Sequence, residues 1–372
     1  MTDFVDILSG WPPARVQELI GSRTADDVRA ALAAAGQYDP ARLAALVSPA
    51  AAPLLEALAQ RSAQWTRQRF GHAVQFFAPL YVSNFCCNGC RYCGFNHTTQ
   101  GTVRRALTLD EAEAEAACLA AQGFAHLLLV SGEDAEHVPP SWFAALARRL
   151  RPRVASLQAE IYALTRDDYA ALAEAGIDGI TMFQETYNPQ VYAHVHPAGP
   201  KRDFANRLDA VERAAQAGMT FLGLGALLGL NDWREEAFYL GLHAAYLQRK
   251  YWRVSVAFSF PRMRPAHGGM PPPHPLADAH LVQLMCALRV QLPDATLTLS
   301  TRERPDFRER MVRLAANKIS AGAKTTPGGY ARMTDAEAQF EVADPRPLAE
   351  VAAAVRAMGF DPVMKDWDCA YV

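Results

Sequence analysis

Two patterns of apolar positions divide the chain. Over residues 1–70, apolar residues recur at helical spacing in a stretch rich in Ala, Leu, Arg and Gln. Thr24-Ala25-Asp26-Asp27-Val28 has the form of a capped helix start, and a further helix is expected over Ala52–Arg69. This part reads as an N-terminal helical extension. From Phe76 onward the pattern becomes short β-favouring runs separated by Ala-rich helical stretches. The runs are Phe76–Ser83, His126–Val130, Ser156–Ile161, Gly179–Phe183, Thr220–Ala226, Arg253–Phe258, Thr296–Leu299 and Lys318–Ser320. Between and around them lie helix-like segments: Leu109–Gln122, Arg166–Ala175, Phe204–Ala217, Trp233–Arg249, Ala277–Leu288 and Arg308–Ala316. Strands alternating with helices over residues 71–330 predict an α/β fold, a (βα)8 TIM-type barrel; a doubly wound open sheet is the competing arrangement. Residues 331–372 form a C-terminal cap, with a helix over Leu348–Met358.

Polar residues gather where the runs end. Cys86–Cys93 follow the first run, Ser131-Gly132-Glu133 the second, and Glu160 lies within the third. Gln184-Glu185-Thr186 follow the fourth, Pro261-Arg262 the sixth, Ser300-Thr301-Arg302-Glu303 the seventh, and Ser320 ends the eighth. In a barrel these positions converge on one rim, where active sites sit. Charge adds little direction: 37 Lys+Arg against 39 Asp+Glu leave a net charge of −2, with no basic bias toward nucleic acid. No run of about 18 apolar residues predicts a membrane span. Met1–Gly10 carries Asp3 and Asp6 and lacks the cationic flank of a secretory signal, so a cytoplasmic location is expected.

Cysteine placement is more informative. Of seven cysteines, Cys86, Cys87, Cys90 and Cys93 fall within eight residues, whereas Cys118, Cys286 and Cys369 are scattered. Such a group in a large chain points to metal or redox chemistry. Cys86-x3-Cys90-x2-Cys93 can supply three thiolates to a [4Fe–4S] cluster and leave one iron open, unlike the four-thiolate sites of electron carriers. Cys87 is then a bystander. The alternative is a non-catalytic zinc protein using Cys87, Cys90, Cys93 and His97. Cys118 and Cys286 read as core thiols.

Other residues carry two readings each. Glu160 interrupts an apolar strand and is either an edge residue or a rim carboxylate. Glu185 is a helix N-terminal acid or lines the pocket. Arg302 pairs with Glu303 or Asp306 at the surface, or holds an amino-acid carboxylate bidentately. Gly223-x-Gly225-x3-Gly229 misses the dinucleotide spacing, and its glycines let adenine or a helix approach the backbone. Tyr239, Tyr246, Tyr251 and Trp252 read as core or interface.

The three-cysteine spacing, with Tyr92 before the last cysteine, resembles the signature of the radical S-adenosylmethionine (SAM) superfamily. Ser131-Gly132-Glu133 resembles that superfamily's Gly-Gly-Glu segment, with Ser131 in place of the first glycine. Longer stretches extend the likeness: Ala78–Asn84, Tyr92–Phe95, Gln184–Asn188, His196-Pro197, Gly199-Pro200-Lys201, Gly223–Gly229, Ser259–Arg262, Leu299–Glu303, Pro327–Tyr330 and Lys365–Asp368. Together they resemble the 2-iminoacetate synthase family, tyrosine lyases of thiamine thiazole synthesis. The tryptophan lyase of nosiheptide synthesis is a related alternative. A further relative, the tyrosine lyase of hydrogenase maturation, binds a second cluster through several C-terminal cysteines; only Cys369 stands there in this chain. The resemblance implies a [4Fe–4S] cluster on Cys86, Cys90 and Cys93. It implies SAM held by Tyr92, Ser131, Gly132, Glu133, Glu160 and Gly225, with Tyr92 near the adenine. L-tyrosine would be held by Arg302 with Ser320, and Glu185 would line its pocket. It further implies release of 2-iminoacetate and p-cresol, a low-potential donor such as flavodoxin, and a complex with thiazole synthase, for which the Trp367 region is a candidate contact.

Overall fold

The apolar runs become strands of one parallel sheet in the computed structural model, which describes residues 3–332 and 334–365. The strands are β1 (Ala73–Ser83), β2 (His126–Ser131), β3 (Ser156–Glu160), β4 (Gly179–Glu185), β5 (Phe221–Ala226), β6 (Ser255–Ser259), β7 (Thr296–Leu299) and β8 (Lys318–Ser320). Each pairs with the next, and β1 pairs with both β8 and β2. That closure makes the expected barrel and excludes the open sheet. A strand absent from the sequence reading, β9 (Asp361–Val363), pairs outside the barrel with Ala73–Gln75 at the start of β1. The Asp366–Asp368 part of the last family-like stretch, Trp367 included, lies outside the described residues, as does Cys369.

Alternation along each strand decides what enters the barrel. In β1, Phe76, Ala78, Leu80 and Val82 belong to the core shared with the helices, while Phe77, Pro79 and Tyr81 face the interior. The same period of two turns Gln158 and Glu160 inward on β3 and Lys318 and Ser320 inward on β8. Strands covered on both faces read as apolar runs because both sides must exclude water.

Helix starts follow their caps. Thr24 with Asp27, and Thr108 with Glu111, form capping boxes, and Asp203 and Asp232 cap the helices Phe204–Gln216 and Trp233–Lys250. Two helices not expected from the sequence, Pro140–Leu150 and Pro189–Val195, both open on a proline in the first turn. The N-terminal helices Pro40–Val47 and Leu55–Phe70 pack on Asp278–Gln291. No single described helix is long and apolar enough to cross a membrane. Of the expected core thiols, Cys286 is buried, but Cys118 is only half-buried. Tyr239 is core, Tyr246 and Tyr251 donate to Glu212, and Trp252 is exposed.

Residues 334–344 form a strap across the mouth formed by the strand C-termini. Its peptide N–H groups at Glu337, Gln339, Glu341 and Ala343 donate to the carbonyls of Val103, Thr325, Pro265 and Thr301, at 2.9–3.3 Å. These acceptors lie on the loops after β1, β8, β6 and β7. Asp344, fully buried, anchors the strap's end through ion pairs with Arg308 and Arg346.

Candidate active site

The cysteine loop leaves β1 at the C-terminal mouth and packs on the loop after β2. Gly132 makes this approach possible: a Cβ there would lie 2.1 Å from the Phe85 carbonyl oxygen. The Gly132 N–H donates to the Ser83 carbonyl at 3.0 Å, and the Cys87 N–H to the Glu133 carbonyl at 2.9 Å. Asn88 Nδ2 donates to Glu133 Oε2 at 2.7 Å, so the Glu133 carboxylate braces the cysteine loop. Ser131 Oγ is buried with no hydrogen-bond partner among the described residues, an orphan aimed at the same region.

Cys86, Cys90 and Cys93 line one cleft, whereas the Cys87 side chain is exposed. Burial, with Cys86 and Glu185 nearby, pushes the Cys90 thiol up to about 11 against the pull of Lys201. Burial and the other two thiols push Cys93 up to about 12. Cys90 and Cys93 therefore resist ionising until a cation joins them; bound metal deprotonates a coordinating thiol outright. Asn88 Nδ2 approaches Cys86 Sγ at 3.7 Å and the Phe95 N–H donates to Cys93 Sγ at 3.4 Å, both suited to a thiolate. The donor set therefore fits a cluster that takes one sulfur per iron. Among the described residues no three His, Cys, Asp or Glu side chains converge on a single ion, so the zinc arrangement with Cys87 and His97 is not formed.

Two chambers meet below this loop. The upper one, about 940 Å³ with its open mouth, is lined by the three cysteines, Tyr92, Ser131, Gly132, Glu133, Glu185 and Lys201. The deeper one, about 780 Å³ with its opening, is lined by Phe77, Tyr81, Gln158, Thr181, Lys318 and Ser320. Glu160, Phe183, Arg302 and Phe340 line both and mark the junction. Tyr92 donates its hydroxyl to His196 Nε2 at 2.7 Å, because His196 Nδ1–H is engaged by the Tyr192 carbonyl at 2.9 Å. Burial first, and Lys201 second, push His196 down to about 3, so it stays a neutral acceptor.

Glu185 sits at a bulge in β4 with φ 70°, uncommon for a residue with a side chain. The bulge turns its carboxylate into the upper chamber, where it meets Lys201 at 2.5 Å and Arg207 at 3.6 Å. Burial opposes its ionisation, but these two cations hold it below the usual carboxylate range. Glu160 and Arg302 differ: neither side chain hydrogen-bonds or ion-pairs with another described residue. Burial pushes Glu160 up to about 7. Arg302 does not pair with Glu303, whose carboxylate is taken by Arg262 and Arg264. Among the described residues, the junction thus holds a guanidinium and a carboxyl that feel each other's charge but form no hydrogen bond or ion pair.

Residues 80–240 match the radical SAM superfamily, and residues 259–361 match the Biotin and Thiamin Synthesis associated domain. Two relatives named 2-iminoacetate synthase, from Escherichia coli (strain K12) and Salmonella typhimurium (strain LT2), are each 44% identical over 96% of this chain and 94% of their own. The chain belongs to the 2-iminoacetate synthase family. Its fold is shared with the FeFe-hydrogenase maturase HydG of Carboxydothermus hydrogenoformans, at TM-score 0.85 and 30% identity over 97% of this chain and 82% of that one.

Against this 2-iminoacetate synthase frame, most of the expected residues gather at the two chambers, and one does not. Gly225 lines neither; a Cβ there would lie 2.5 Å from the Phe183 ring, so this glycine lets Phe183 lie against β5. Ser320 lines the deeper chamber, and its Oγ accepts from the Thr301 N–H at 3.1 Å, bracing the turn that carries Arg302. Lys201 and Arg207 were not singled out by sequence reasoning, although Lys201 lies in the family-like Gly199-Pro200-Lys201. Gln339 and Phe340 carried no sequence signal beyond their place in the C-terminal cap.

Proposed function

We propose that this radical SAM enzyme cleaves the Cα–Cβ bond of L-tyrosine, releasing 2-iminoacetate and p-cresol for the thiazole of thiamine. Cys86, Cys90 and Cys93 would hold a [4Fe–4S] cluster, with SAM beside it in the upper chamber. Given an electron from a low-potential donor such as flavodoxin, a cluster and SAM held there would supply the 5′-deoxyadenosyl radical chemistry of this superfamily, with methionine as the other product. The chain's own residues bind, orient and exclude water. Tyr92, fixed by His196, would pack near the adenine. Ser131, Gly132 and Glu133 offer oxygens and a close backbone to the methionine amine. Arg302 takes the tyrosine carboxylate at the junction, with Ser320 supporting its loop. The observation that carries the substrate reading is Arg302: a guanidinium that ion-pairs with no acid among the described residues, at the junction of two chambers, in a chain of this family. Product analysis after anaerobic reduction with SAM and tyrosine tests it.

Glu160 is assigned to SAM as an acceptor for the ribose hydroxyls or the amine, a role that needs the ionised carboxylate. Its raised value gives the sign: below about 7 the carboxyl is mostly protonated, and above it the acceptor is available. SAM affinity is expected to rise roughly tenfold between pH 6 and 8, by proton linkage at one site. Glu160→Gln should flatten that rise. SAM binding by the wild type that does not change over this interval would remove Glu160 from the cofactor site.

An imine of glyoxylate hydrolyses in water, so the product favours direct hand-over. A complex with thiazole synthase follows, and the two proteins should co-purify under anaerobic conditions. Separate elution, with free imine used equally well, would count against the complex.

A further inference from the structure

A carboxylate clamp works only if both N–H edges of the guanidinium face the ligand. Arg302 stands on the loop after β7 with a long side chain and no ion pair among the described residues to order it. What touches its guanidinium is the ring of Phe340, whose centroid lies 3.3 Å from Arg302 Cζ. One residue earlier, Gln339 Oε1 accepts from the Tyr81 hydroxyl at 2.6 Å. Both residues sit on the strap over residues 334–344. The Gln339 N–H donates to the Thr325 carbonyl at 3.0 Å, and the Thr325 hydroxyl donates to the Phe340 carbonyl at 3.0 Å. Phe340 is therefore held from its own backbone and from the neighbouring residue.

An aromatic shelf suits this place better than an acid. Asp or Glu would order Arg302 but occupy its N–H groups and compete with the substrate carboxylate. A ring attracts the cation through its face and leaves the N–H edges free. Building on the tyrosine-carboxylate reading, we propose that Phe340 is a positioning residue that shelves Arg302 for the substrate carboxylate, with Gln339 on Tyr81 setting the strap's height. The substrate site is then completed by the C-terminal strap as well as by the barrel.

Equilibrium binding to the anaerobically reconstituted, SAM-loaded enzyme tests this with two probes: tyrosine, and tyramine, which lacks the carboxylate. Phe340→Leu is expected to weaken tyrosine about 5- to 30-fold, the size of a desolvated cation–π contact, and tyramine by less than about twofold. Phe340→Tyr, which keeps the ring face, should stay within about threefold of wild type for tyrosine. Iron content and SAM binding should not change. If Phe340→Leu fails to reconstitute, Phe340→Met, also without an aromatic face, is read the same way. Tyrosine binding unaffected by loss of the ring overturns the proposal. So does equal weakening of tyrosine and tyramine, which would make the strap a space-filler. Arg302→Lys measured alongside separates the two levels. Normal tyrosine binding there sinks the carboxylate reading itself, whereas weakened binding there with a normal Phe340→Leu sinks the shelf alone.

Discussion

Alanine at Cys86, Cys90 or Cys93 is expected to abolish SAM cleavage, while Cys87→Ala keeps most of it. The three side chains line one cleft; Cys87 is exposed and contributes its peptide N–H to the Glu133 carbonyl. With one sulfur gone, an iron loses its protein ligand, and two thiolates hold the rest less well. Ligation by three thiolates leaves each iron it holds a single protein sulfur, so each of the three cysteines matters. Iron per chain and 5′-deoxyadenosine formed after reduction should fall together in the three variants. If Cys87→Ala loses both instead, the ligand assignment is wrong.

Arg302→Lys should weaken tyrosine use by at least about tenfold, and Arg302→Ala by more. A hydrogen bond to a charged group is worth ~1.5–3 kcal/mol, or roughly 10- to 150-fold. Lysine restores charge but not the planar fork, and it loses the flat face that lies on the Phe340 ring. Burying a carboxylate without its partner is costly, so the alanine variant suffers most. Both variants should keep their iron and bind SAM, because the cysteine loop is braced by Asn88 and Glu133 rather than by Arg302. Tyrosine turnover and SAM binding on the same preparations decide it. Normal turnover by Arg302→Ala removes the clamp, and loss of SAM binding with an intact cluster moves Arg302 to the cofactor.

The barrel was legible because parallel strands buried on both faces leave apolar runs between capped helices. The seventh and eighth runs coincide with β7 and β8 as expected. The start of β1 was missed because Ala73–Gln75 become strand by pairing with β9, nearly 300 residues away in the chain, which no local pattern reveals. Pro139-Pro140 reads as a breaker, yet proline is favoured in a helix's first turn, and the helix Pro140–Leu150 begins there. The cysteine loop was legible from spacing because its chemistry is local. Glu160 was legible as an interruption in an apolar strand, and alternation puts it on the inner face with Gln158. Arg302 was ambiguous because its neighbour Glu303 offered a partner; only the fold shows Glu303 turned to Arg262 and Arg264. Lys201, Arg207 and Phe340 reach the chambers from loops, a helix and the strap, so their convergence is a property of the tertiary structure alone.

The most direct measurement is product analysis of the anaerobically reconstituted and reduced enzyme, incubated with SAM and either tyrosine or tryptophan. With tyrosine, p-cresol and 5′-deoxyadenosine should appear together in about equal amounts, as expected when each radical formed is used by substrate, and tryptophan should yield no aromatic fragment. 5′-Deoxyadenosine without p-cresol, or an aromatic fragment from tryptophan alone, would contradict the account.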